Sequence, residues 1–518
     1  MARIKSRNLF DLVKSLDKNE KRYFKLLSSA SGKAEDLKIL ILFDHINKQE
    51  RFDEESILEK EPSIKASQLS NMKAYLYEKI LQSIRQYNAA KISDIKIREQ
   101  IDFAQLLFER RLYSLGKNCL KKAKKMAKIQ NNLELQLEII KLEKLILTDS
   151  SGDVEKVDKV IAEAREINLQ INNINMFSNL SMKLNSLYRK IGYIRDESDF
   201  MKLQSFFNAN LPDYKEEQLT TTEKIHLYRL YIGYYFFSQD FDNGYIYAKK
   251  LEEVFAKNPS MILGQTEVYI SSLNNMLTAQ YKLFRYHEFL ETNRKLQSVK
   301  QMNLLRMSES IRVRLLKYYY MHEINNFFMR GDFEKGIDFI IKEHGETVNR
   351  LSVVLDQHSS MILSYKIACL YFGAGNFNQA IRWLNKIINI SNADIREDLH
   401  CFARIMNLVC HYELGHYDVI NYYIISTYRF LLKKDDLHFF QKYILSFLKG
   451  LTKELNDKEL ILKFHELKEQ LMPLVNSAYE KRAFIYFDII SWLECKIEKR
   501  SVQEIIQQKF RGRIQRDY

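Results

Sequence analysis

The sequence predicts an all-α chain built as a series of helical hairpins. Three observations carry this prediction. Only 4 prolines and 15 glycines occur in 518 residues, so few positions break a helix. Apolar residues fall mostly at helical intervals, with no convincing run of strand-like alternation. A hairpin-like spacing also recurs down most of the chain. Its reference copy is Arg111 to Ala127, RLYSLGKNCLKKAKKMA, read as a turn and the second helix of a hairpin. There Tyr113, Gly116, Leu120 and Ala123 stand at i, i+3, i+7 and i+10, one face of a helix. That face packs on the preceding helix, Glu99 to Arg110. Gly116 lets the two helices approach closely, and the aromatic beside the turn wedges the hairpin.

The spacing returns as Phe377, Ala380, Leu384 and Ile387 in GNFNQAIRWLNKII. With Gly116 and Ala380 as the reference position, equivalents fall at Val157, Phe200, Gly244, Phe289, Gly336, Ile420 and Leu460, at intervals of 40 to 47 residues. The pattern resembles the tetratricopeptide (TPR) repeat, whose second helix carries small and bulky positions at this interval after an aromatic turn residue. It departs from that family in period, which there is about 34 residues, and in the bulk at Phe200, Phe289, Ile420 and Leu460. Twelve residues earlier, where the first helix also wants a small residue, only Ala104 and Ala368 comply. Leu145, Tyr188, Ile232, Leu277, Ile324, Leu408 and Leu448 do not. The resemblance implies a divergent, right-handed TPR-like α-solenoid of about nine hairpins over residues 93–475, with helical caps at 1–92 and 476–518.

Residues 1–92 do not follow the repeat. Asp17 with Glu20 predicts a capping box for a helix to about Ser29, and a second helix covers roughly Ala34 to Asn47. Asp53 caps a short helix through Glu59 and Pro62 ends it. A long helix from about Lys65 then carries Leu69, Met72, Leu76, Ile80, Ile84 and Tyr87. This is a cap for the repeats, or a helix-turn-helix-like effector unit that presents the polar start of its last helix (Lys65, Ser67, Gln68, Ser70, Asn71, Lys73) to DNA.

Within the repeats, Lys117, Lys121, Lys124, Lys125 and Lys128 share one face of their helix, a stripe about 16 Å long. Such a stripe is a solvated outer face, or it meets several phosphates in a salt-dependent way. Residues 320–430 hold the best repeats, with Trp383 at a core-like position beside Leu384. In the family resembled, first helices line a concave face that holds peptide or protein segments. Asn325, Asn326, Lys366 and Asn407 on those helices are the candidates lining that groove. The end of the chain reads as a closing helix, AFIYFDIISWLECKIEK, and a last helix from Val502. A basic tail with Lys509, Arg511, Arg513 and Arg516 follows. It is a soluble C-terminus, or an arm that orders on RNA or an acidic partner.

Net charge is +14 with 80 Lys and Arg against 66 Asp and Glu, which favours a polyanionic partner only where the charge is localised. The N-terminus carries no uninterrupted apolar stretch of a secretory signal, and no run of about 18 apolar residues spans a bilayer. Five widely spaced cysteines read as reduced core residues of a cytoplasmic protein. GAGN at 373–376 is a hairpin turn and not a phosphate loop, and no HExxH, paired CxxC or GxSxG occurs. Glu397 with His400 and Glu413 with His416 have ExxH spacing, but the partner carboxylate helices of a di-iron site are not evident. No cofactor is expected. The chain is therefore expected to be a non-catalytic scaffold or adaptor, without membrane insertion, for a protein or peptide on the concave face. The alternative is a nucleic-acid- or ribosome-associated factor that uses the lysine stripe and basic tail. One form of it resembles bacterial peptide receptors in layout, with an effector unit ahead of TPR repeats.

Overall fold

The structure of the protein, a computed structural model, describes residues 6–515 apart from 31–33, 52, 63, 90–92, 151–152, 302–307, 391–394, 435–436, 452–455, 478, 482 and 485–486. Among the described residues every regular element is a helix. The chain forms two compact units, Met1–Ile171 and Asn172–Tyr518.

The first unit contains α1 (Ser6–Ser15), α2 (Lys18–Ala30), α3 (Ala34–Lys48), α4 (Glu54–Lys60), α5 (Ala66–Asn88), α6 (Ser93–Glu109), α7 (Tyr113–Ile129), α8 (Leu133–Ser150) and the start of α9 (Val154–Ile191). The expected capping box forms: Asp17 Oδ1 accepts from the backbone N–H of Glu20 at 2.8 Å, and Glu20 returns the bond to Asp17 N–H at 3.0 Å. Asp53 likewise accepts from the N–H groups of Glu55 and Ser56. Helix α1 is an addition to the expected elements: its Leu9 and Val13, with Leu16 just before α2, recur at i, i+4 and i+7 and are buried. They join Phe24, Phe43, Leu69, Leu76 and Ile80 in one core. A second core in this unit links Ile97, Ala104, Leu120, Ala123, Leu135 and Ile139.

The second unit takes the rest of α9, then α10 (Glu197–Asn210), α11 (Thr221–Phe237), α12 (Phe241–Lys257), α13 (Met261–Gly264), α14 (Thr266–Lys282), α15 (Tyr286–Gln301), α16 (Glu309–Arg330), α17 (Phe333–Ile337), α18 (Gly345–Val354), α19 (Gln357–Gly373), α20 (Phe377–Ile388), α21 (Glu397–Glu413), α22 (Tyr417–Lys433), α23 (Phe439–Lys449), α24 (Asp457–Val475), α25 (Ile489–Glu498) and α26 (Val502–Ile514). Where one hairpin ends its second helix and the next begins its first, α9 runs on unbroken, so two expected helices are one. After α17 the helix widens into a π-helical turn over Asp338–Glu343.

The hairpin turns repeat one geometry. Arg111, Gln239, Phe284, Gly331, Gly375 and Gly415 each have φ between 53° and 73° and each stands two residues before its second helix. At each, the N–H of the left-handed residue bonds the carbonyl three residues back, and the next N–H bonds the carbonyl five back from itself, as in Gly375 to Phe372 (3.0 Å) and Asn376 to Tyr371 (2.8 Å). This is the Schellman closure, which satisfies the orphan carbonyls at the end of the first helix. The residue that opens each second helix is aromatic: Tyr113, Phe241, Tyr286, Phe333, Phe377 or Tyr417. In five of these hairpins its ring meets an aromatic five residues earlier, as in Phe372 with Phe377, centroids 5.4 Å apart, and Phe236 with Phe241, 5.8 Å.

All nine reference positions stand three residues after the start of their helix. Gly116, Gly244, Phe289, Gly336, Ala380 and Ile420 are buried, while Val157, Phe200 and Leu460 are half-buried. The small residue has a specific role here. A β-carbon on Gly116 would collide with the ring of Phe108, and one on Gly244 with the ring of Phe236. Two positions depart from expectation. Leu145 is exposed, and Trp383 is half-buried with Lys386 Nζ 3.4 Å from its ring centroid, while Leu384 beside it is buried.

In the second unit the first helices form a continuous layer, with α14 touching α16, α16 touching α19, α19 touching α21 and α21 touching α23. Two long-range closures follow. The carbonyl of Arg189, near the end of α9, accepts from Arg396 N–H at 2.9 Å, just before α21. The last helix returns onto α15 and α16, where Phe510 packs edge-on against Tyr286 and Gln507 donates to the Gly331 carbonyl.

Candidate functional site

The second half of α9 buries Phe177, Leu180 and Leu184 on one face. The other face presents Ser178, Ser181, Met182, Asn185, Ser186 and Arg189, spaced 3, 4, 7, 8 and 11 residues from the first. Opposite them α11 contributes His226 and Arg229, one turn apart, so that its apolar residues Ile225, Leu227, Tyr228 and Leu230 stay in the core. Together these residues line an open groove of about 440 Å³.

The groove leads into a track of cations carried by successive first helices. Arg229 is exposed to solvent yet surrounded by protein, and burial lowers its pKa, with Glu267 raising and Arg314 lowering it. Arg314 on α16 pairs with Glu267 of α14 at 2.6 Å. One turn on, Lys317 is held below the usual lysine range by burial first, and by Arg314 and Arg189, against the pull of Asp356. Lys317 also donates to Ser359 Oγ at 3.3 Å. His358 on α19 is pushed down to about 4 by burial and by Arg396 and Arg189. Arg396 makes a two-point pair with Asp398, both bonds 2.8 Å, under Gly192, whose φ of 81° and missing β-carbon leave room for the carboxylate.

Deeper along the same layer lie Lys282 of α14 and Lys366 of α19. Burial is the main cause lowering both, and for Lys282 the nearby charges of Lys366 and Arg396 add to it. Both ammonium groups stand over the ring of Tyr281, at 5.1 and 5.5 Å. A hydrogen-bonded chain starts at Lys366 Nζ and donates to Asn325 Oδ1. Asn325 Nδ2 then meets His322 Nδ1 at 3.2 Å, and His322 Nε2 meets Asn274 Oδ1 at 3.0 Å. With Lys366 fixing the amide, His322 Nδ1 accepts and Nε2–H donates, which is the neutral ring. Burial, with Lys366 nearby, holds its pKa at about 3.

Two of the four groove candidates, Asn325 and Lys366, are therefore joined directly. The other two stand apart from that chain. Asn326 is half-buried with Oδ1 making no hydrogen bond, and Asn407 is buried on α21 with Nδ2 making none.

The lysine stripe lies in the first unit. Lys124 hydrogen-bonds Glu143 at 2.7 Å and Glu163 at 2.8 Å, and Lys128 forms an ion pair with Glu163 at 2.8 Å. Burial opposes the charge on Lys124, but these hydrogen bonds outweigh it and its pKa is raised. Lys117, Lys121 and Lys125 are exposed, with no ion-pair partner among the described residues. In the N-terminal region Lys73 is buried against Glu54 at 2.8 Å, while Lys65, Ser67, Gln68, Ser70 and Asn71 are exposed at the start of α5.

The basic tail is part of a docked helix. Lys509 pairs with Glu494 at 2.6 Å, Arg513 lies 4.4 Å from the Phe284 ring, and Arg511 is exposed. Arg516 lies outside the described residues. The ExxH carboxylates are engaged elsewhere: Glu397 with Lys434, and Glu413 with Trp492 and Lys496. His411 and His416, five residues apart, meet at 3.0 Å because the Gly415 turn folds one back on the other. No group of three or more His, Cys, Asp or Glu able to hold a metal exists among the described residues. No described helix is long and apolar enough to cross a membrane. A separate apolar surface runs along α22, where Tyr422, Ile425 and Leu432 are exposed.

Comparison with protein-family models gives no match, and comparison with curated proteins gives no relative.

Proposed function

We propose that the protein is a non-catalytic binding scaffold that holds a protein or peptide partner on the concave face of a right-handed TPR-like α-solenoid of about nine hairpins. The continuous first-helix layer supports this reading. In solenoids, first helices that touch one another while second helices bridge successive hairpins give a surface curved toward the first-helix side, and α14, α16, α19, α21 and α23 touch in that succession. The single observation that carries the reading is the groove between α9 and α11, both first helices of their hairpins. It is built from the polar face of α9 and from His226 and Arg229, with Asn185, Ser186, Arg189 and Arg229 exposed while the apolar neighbours form the core.

A second reading has its own support. Lys117, Lys121 and Lys125 form an exposed cationic row, which suits nucleic acid or ribosomal RNA as a partner. The two readings separate in a pull-down of the tagged full-length protein from its own cells, at low and high salt, with and without nuclease. The scaffold reading expects a defined protein that survives nuclease and is lost on substitution in the groove. Recovery of RNA or DNA that disappears with salt and with the Lys117, Lys121 and Lys125 substitutions would replace it.

A further inference from the structure

We infer that the groove of the second unit takes an extended acidic peptide segment, whose carboxylates follow the track from Arg229 through Arg314, Lys317 and Arg189 toward Lys282 and Lys366. The inference rests on the scaffold reading and names the chemistry of its partner. Seven cations (Arg189, Arg229, Lys282, Arg314, Lys317, Lys366 and Arg396) stand in electrostatic reach of at least one other of the set. Three carboxylates, Glu267, Asp356 and Asp398, face them, a fourth, Asp488, lies near Tyr281, and each already has a structural task. Glu267 pairs with Arg314 and Asp398 with Arg396. Asp356 caps α19 through Ser359, and Asp488 caps α25 through Ser491. The surplus of like charge in a partly enclosed space is costly for the empty protein and is relieved by an anion.

The arrangement favours a linear anion over a compact one. The cations come from six places along the chain, α9, α11, α14, α16, α19 and the residue that precedes α21, and they succeed one another instead of converging on one point. It also favours carboxylates over bases. Three tyrosine rings along the track carry the protein's own cations: Tyr188 has Arg396 at 5.2 Å, Tyr281 has Lys282 at 5.1 Å and Tyr318 has Lys317 at 4.9 Å. Each of these rings therefore has a face already taken by a cation, which makes it a poorer platform for base stacking. Ser178, Ser181, Asn185 and Ser186 on the facing wall supply small polar groups suited to a peptide backbone.

The test is fluorescence anisotropy of a labelled deca-glutamate peptide with the full-length protein, beside a labelled decathymidylate and a neutral glycine-serine decapeptide. Arg189 and Arg229 are both exposed, so Arg189→Glu/Arg229→Glu is the groove variant, and Lys121→Glu/Lys125→Glu is the control in the stripe. Circular dichroism checks that both remain folded, with Arg229→Ala in reserve. The expected result is saturable, salt-sensitive binding of deca-glutamate, weakened about tenfold or more by the groove variant and unchanged by the stripe variant. No saturable binding, equal loss in both variants, or tighter decathymidylate binding that the groove variant abolishes would each overturn the inference. A partner captured from cells whose retention resists high salt and the groove variant would sink the acidic-segment inference alone. Failure to capture any protein would sink the scaffold reading itself.

Discussion

Lys366 donates a hydrogen bond from Nζ to Oδ1 of Asn325, tying α19 to α16 in the middle of the first-helix layer. The bond is made by a lysine that burial has brought down from 10.5 to about 8. Between those pH values the unfolded chain keeps a proton that the folded chain has released, so stability rises with pH. Below about pH 8 both states are charged and the cost of enclosing the cation is fully present. The melting temperature is expected to rise between about pH 7.5 and about pH 9.5, and to rise less in Lys366→Met. An equal rise in both proteins would show that Lys366 is not the group responsible.

His400 gives the acid-side counterpart. It is fully buried, neither ring nitrogen makes a hydrogen bond, and its pKa is pushed down to about 4 by burial, helped by Arg404 and Lys434. As pH falls below the ordinary value of about 6.5 the unfolded chain takes up a proton that the folded chain refuses, so stability is lost. His400→Leu removes this loss along with two unpartnered polar atoms, and is expected to match or exceed wild-type stability at neutral pH. Urea titrations at about pH 7 and about pH 5 measure both effects. A variant with an unchanged acid-side slope would contradict the assignment.

The hairpin turns make opposite predictions at two sites. Gly375 has φ of 73° with no heavy atom within 4 Å of where a β-carbon would sit, so Gly375→Ala carries only the backbone cost. That cost is about 1 kcal/mol. Arg111 holds a φ of 61° with a full side chain, and Arg111→Gly is expected to stabilise by up to about 1 kcal/mol. If thermal melts move both variants in the same direction, the shared Schellman geometry does not govern these turns.

The aromatic clamp is testable by a double-mutant cycle. Gly244→Ala places a methyl group where the Phe236 ring lies and is expected to destabilise by about 1–3 kcal/mol. In a Phe236→Leu background the penalty should fall by more than the error of the measurement, because the two sites couple through one contact. Strict additivity would mean that the glycine is there for another reason.

The helical hairpins were legible in the sequence because their signal is local. A turn residue, an aromatic and a small residue stand at fixed offsets, and the nine reference positions hold one register relative to their helices, including bulky Phe200 and Phe289. The fusion of two helices in α9 was not legible, since the stretch from Val154 to Ile191 has neither proline nor glycine, and only tertiary packing decides whether a helix bends there. The site was half legible. Asn325 and Lys366 were identifiable as polar residues on first helices. The polar face of α9 at Ser178, Ser181, Asn185 and Ser186 has helical spacing too, but a solvated face and a groove wall look alike in one dimension. The track from Arg229 to Lys366 joins residues far apart in the chain, and no spacing rule links them. The lysine stripe stood out for the opposite reason: its charges are contiguous in sequence. In the fold, Glu143 and Glu163 engage Lys124, and Glu163 also engages Lys128.

The most direct test of the account is site-specific photo-crosslinking in living cells, with a photoreactive amino acid placed in separate proteins at Asn185 in the groove, Lys121 on the stripe and Ile425 on the apolar face of α22. The account predicts one defined protein adduct from the Asn185 position, competed by excess deca-glutamate peptide in permeabilised cells, and none of comparable yield from the other two. Adducts confined to Lys121 or Ile425, or nucleic acid crosslinked at Lys121 with nothing at Asn185, would contradict it.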